Sequence, residues 1–285
     1  KYRHGKYWLN LMSRESFLEE SGNTESASAD DELRGDSWDR ENWNDLSKRL
    51  SRLAHPKYAK NIFGEEKTQG EIYLWGVAAS QGCECDAIVI ALSDLTIAKE
   101  KHSGGDDGCE IGIDFDREAA SFMNSIDSRH FFSPSDCHFA ILWAAALPAL
   151  ASRIEAHRWW RLTSTLQQLH ESVVQRSTAY SIDHLMLAGE LGLTLAWRVS
   201  CVAACKRLAN SAGESVRQWC DREQEVVSEV LSNAENTRLV LASLVRCRHL
   251  LEKVAKRKFR KSDQRTQAAL ATWAAALTHP IGTAL

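Results

Sequence analysis

The clearest pattern along this chain begins at Ser133, where apolar residues settle into helical spacing and hold it almost to the end. The stretch SPSDCHFAILWAAALPALASRI opens with a Ser-Pro-Ser-Asp start signal and continues as a strongly apolar helix, which Pro148 should kink or divide. The same periodicity predicts further helices over His157–Gln175, Ser181–Ser200, Val202–Trp219, Asp221–Ser232, Glu235–Lys258 and Ser262–Leu277. Their connectors are short, so consecutive helices should run antiparallel. In Glu235–Lys258, Leu239, Leu244, Leu250, Leu251 and Val254 mark the apolar face. Arg238, Arg246, Arg248 and Lys253 fall elsewhere on the circumference, and the basic run KRKFRK, Lys256 to Lys261, closes the helix.

The first half is less regular. From Glu19 to Asp45 the chain is rich in Ser, Asp, Glu, Asn and Gly and poor in aliphatics, which reads as a solvated, mobile acidic segment. Leu46, Leu50 and Leu53 then fit one short helix from Asn44 to Leu53, ending before Pro56. EIYLWGVAA and DAIVIALSDLTIA, within Glu71 to Ala98, suit two buried strands, with a helix as the alternative for the second. After the turn-rich KHSGGDDGCE, Ile111, Ile113 and Phe115 alternate with Gly112 and Asp114 as a half-exposed strand would. The expected organisation is a polar segment over 1–45, a small mixed α/β region over 46–130 and a helical domain over 131–285.

Composition adds limits. Of 285 residues, 44% are hydrophobic and 26% charged, as in a globular protein. With 35 basic against 38 acidic residues the formal net charge is -3, so no general field attracts nucleic acid or an anionic membrane. An anionic ligand would need a local basic site. No apolar run approaches the roughly 18 residues that cross a bilayer, because Phe139–Leu150 is followed by Arg153 and Glu155. The first residues resemble no signal peptide, which favours the cytoplasm, and they lack an initiator Met, which suggests a piece of something longer. Eight cysteines permit disulfides. However, Cys201, Cys205, Cys220 and Cys247 fall in the helical half, where reduced, buried thiols are expected.

Motifs with chemistry are sparse. Cys83, Cys85, His102 and Cys109 are zinc-binding residue types, but their spacing is that of neither a finger nor a ribbon. No Walker loop, G-x-G-x-x-G, G-x-S-x-G or H-E-x-x-H occurs, so neither metal nor cofactor is expected. Phe259 among the cations of KRKFRK suggests base stacking, against the simpler reading of a solvated helix cap. Ten tryptophans are many for this length; in a groove, Trp159, Trp160 and Trp197 would stack on sugar rings. Of the adjacent pair Trp159 and Trp160, at most one can be deeply packed. AYSIDHLMLAGELGLTLAWRV, Ala179 to Val199, places His184 and Glu190 on a mostly apolar helix, with Gly189 and Gly192 allowing close helix contact. His184 could serve in proton transfer. Alternatively it is a satisfied core histidine, and Glu190 pairs with a cation on a neighbouring helix.

Read in order, PSDCHFAILWAAALPALA, HRWWRLTSTLQQL, AGELGLTLAWRVSCVAACKRLANSA and TRLVLASLVRCRHLLEK resemble the helical region of heparinase II/III-like proteins of the kind common in planctomycete bacteria. The likeness covers roughly residues 130 to 277. It implies a mainly α fold, with antiparallel hairpins forming an incomplete α/α toroid after a small mixed or β-containing part. It also implies a C-terminal β-sandwich domain in the full-length chain, the two enclosing a cleft for acidic polysaccharide. Family members cleave uronic-acid linkages by β-elimination, with Tyr and His moving protons while the substrate carboxylate is neutralised. The corresponding candidates are His184 and Tyr180 for proton transfer, with Trp159, Trp160, Trp197 and Glu190 at the sugar. Where family lyases begin a toroid helix with Asn-His, this chain has Asp183-His184, and an acidic side chain repels a substrate carboxylate. A lyase-derived helical frame, inactive by itself, is therefore the expectation, and a non-catalytic helical binding or scaffold module the alternative.

Overall fold

The computed structural model describes residues 43–53, 66–68, 71–74, 77–78, 87–97, 113–127, 131–176, 178–234 and 236–277. The chain divides into two compact units, Lys1–Lys48 and Arg49–Leu285. Its architecture is mainly α. Among the described residues, three short strands, β1 (Glu66–Thr68), β2 (Glu71–Leu74) and β3 (Val77–Ala78), pair antiparallel in sequence order.

A first helix, α1, spans residues 43–53. The second apolar run, open between strand and helix, is the helix α2 (Ala87–Ile97). Its buried Ser93 and Thr96 satisfy their hydroxyls within it, on the carbonyls of Val89 and Leu92. The strand expected through Ile113 and Phe115 is not formed, for Phe115 begins α3 (Phe115–Asp127). Local capping overrides the alternation: the Asp114 carboxylate accepts from the backbone N–H of Arg117 at 3.1 Å, as an N-cap does at a helix start.

Helix α4 (Pro134–Leu150) starts where its sequence signal lies. Ser133 Oγ accepts from the Asp136 N–H, Asp136 Oδ2 accepts from the Ser133 N–H, and Pro134 occupies the first turn. Being apolar all round, α4 is buried along nearly its whole length. Pro148 does not divide it; the ring falls in the last turn, where a missing N–H costs one bond at most and the helix ends at Leu150 regardless. Trp159 Nε1 donates to the Leu147 carbonyl of this last turn at 2.8 Å. α2 packs on α4, and Phe122 of α3 stacks on Trp143 with centroids 5.6 Å apart.

Next come α5 (Ala156–Arg176) and α6, which winds as a π-helix over His184–Leu191 and continues as an α-helix over Gly192–Arg198. α7 (Ala203–Cys220), α8 (Glu223–Leu231), α9 (Asn236–Leu250, with a π turn Leu251–Ala255) and α10 (Lys261–Ala276) complete the unit. α6 is its axis: every residue from His184 to Ala196 is buried, and α4, α5, α7 and α9 all pack against it. Close approach explains its glycines. A Cβ on Gly192 would lie 2.6 Å from His170 Cε1 and 2.7 Å from Ala212 Cβ, and one on Gly189 would lie 2.8 Å from Val216 Cγ2.

The helix expected to run to Lys258 stops at Ala255, because Lys256 adopts a left-handed conformation (φ 54°) and terminates it. The basic run is thus a connector from α9 to α10, and does not close a helix. Among the described residues, no helix is long and apolar enough to cross a membrane.

Candidate functional site

The residue types suited to chemistry lie on and around α6. Glu190, fully enclosed, receives two hydrogen bonds from Arg246 of α9, one of them Nη2 to Oε2 at 3.1 Å. The paired, bidentate geometry fixes both side chains. Glu190 is thereby engaged by a cation on a neighbouring helix. Arg246, expected away from the apolar face, is instead buried; the positions Leu239, Ser243, Arg246 and Leu250 all face inward at helical spacing. That spacing was the available signal.

Three histidines are buried in the same helical unit. His138 of α4 is buried, and enclosure together with the nearby Arg246 charge lowers its pKa to about 3. His170 Nδ1 lies 3.1 Å from the Leu187 carbonyl, and burial holds its pKa below the usual histidine value, with His184 adding to the effect. His184 is also buried and also lowered, chiefly by desolvation, while Asp183 acts in the opposite sense. All three rings are therefore neutral near pH 7. Neither His138 nor His170 stands out in the sequence, since each occupies an ordinary position on an apolar helix.

The other candidates are distributed along α5, α6 and the turn that joins them. Tyr180 is half-buried in the turn before α6. Trp159 is fully enclosed and hydrogen-bonded to Leu147, whereas Trp160, its ring edge-on to Trp159 at 5.1 Å, is half-buried. One member of that pair is packed and the other accessible, as adjacency on a helix requires. Trp159 and His170 are eleven positions apart on α5, roughly 16 Å along the axis. Trp197 sits at the far end of α6 from His184, half-buried, with the Arg198 guanidinium 5.2 Å from its ring centre. That arginine is a structural clasp. Its Nε donates to the Ala145 carbonyl at 2.8 Å and its Nη1 to Leu53 at 2.9 Å, joining α4 and the end of α1.

Cys137, Cys201, Cys205, Cys220 and Cys247 are free thiols, and burial raises the pKa of each, keeping them protonated. No group of three or more His, Cys, Asp or Glu among the described residues is placed to hold a metal ion. Cys83, Cys85, His102 and Cys109 lie outside the described residues. A depression of about 380 Å³ between the starts of α8 and α10 is lined by Asp221, Glu223, Glu225 and Arg265 among others. Its carboxylates would repel an anionic sugar. No protein-family model, curated protein or solved structure matches the chain.

Proposed function

We propose that the helices of this chain form a non-catalytic scaffold, a rigid helical module built around α6. The observation that carries this reading is the enclosure of α6 with its acid and base groups turned inward: Glu190 is taken up by Arg246, and His184 is buried and neutral. A proton-transfer group must reach the proton it moves. Both groups are buried in the protein core.

A second, compatible reading is favoured by where the resemblance falls. AGELGLTLA and SLVRCRHLLEK, two of the pieces that carry the likeness to heparinase II/III-like proteins, meet at Glu190 and Arg246. In that reading the helices are part of an incomplete toroid, the frame beside a cleft for acidic polysaccharide. Half-buried Tyr180, Trp160 and Trp197 then face the polymer, and another domain supplies the chemistry. The test is to incubate this chain with uronate-containing polymers and follow the absorbance of unsaturated products. No absorbance should develop. Product formation that is lost in Tyr180→Phe or His184→Ala would make the chain a lyase and overturn the scaffold reading.

A further inference from the structure

We draw no further inference here: the strongest candidate, the uncharged surface patch on the second half of α10 where Ala268, Thr272, Ala275 and Ala276 are exposed beside Trp273, is a stripe of small residues with one exposed aromatic, and nothing in the structure shows what covers it.

Discussion

Arg246 and Glu190 form a two-pronged ion pair in the centre of the helical unit, between α9 and α6, with both side chains removed from solvent. Burying either charge alone is costly, and the attraction offsets that cost only while both are present. Glu190→Gln or Arg246→Met should each destabilise the fold by about 3–5 kcal/mol. The double replacement Glu190→Leu with Arg246→Met should recover most of the loss. Urea unfolding of the three variants measures this, and a double variant as unstable as the sum of the singles would contradict it.

Gly192 faces His170 and Ala212 at distances that exclude a methyl group. Gly192→Ala should therefore lose about 1–3 kcal/mol despite the better helix propensity of alanine. A lowered urea midpoint with an unchanged m-value is the expected signature. An unchanged or raised midpoint would mean that α5 and α7 can move apart to admit the methyl.

His138, His170 and His184 are held neutral by burial, so their folded pKa values lie below the unfolded value near 6.5. Protonation then favours the unfolded chain: their contribution is complete above pH 6.5 and is lost as pH falls toward the folded values. His138, lowered to about 3, should alone cost about 1 kcal/mol between pH 6.5 and 5.5. Urea midpoints measured across that interval, before most carboxylates titrate, should fall with acid, and His138→Phe should reduce the slope.

Lys256 holds a left-handed backbone angle that glycine adopts without strain. Lys256→Gly should raise stability by about 0.5–1 kcal/mol, the relief of that strain less the entropy glycine adds to the unfolded chain. A thermal melt showing a lower Tm would argue that the lysine side chain itself stabilises the connector.

Much of the helical part could be read directly. Apolar residues at helical spacing give α4 to α10 because periodicity is a property of neighbouring positions, and Ser133 with Asp136 marks a start through contacts only three residues apart. The same locality misled at Ile113 and Phe115, where alternation imitates a strand but Asp114 caps a helix. It also misled at Lys256, where a left-handed angle ends α9 with no glycine to announce it.

The candidate site was legible only as residue types. Sequence alone determined that His184 and Glu190 share an apolar helix, and that at most one of Trp159 and Trp160 can be deeply packed. That Glu190 meets Arg246 from 56 positions away, that His138 and His170 join the same core, and that Phe259 turns inward amid exposed lysines were decided by the tertiary structure. The physical reason is that local pattern sets which face of each helix is apolar. The partner of a buried charge depends instead on which helices come to lie side by side, and that is settled by packing the whole unit.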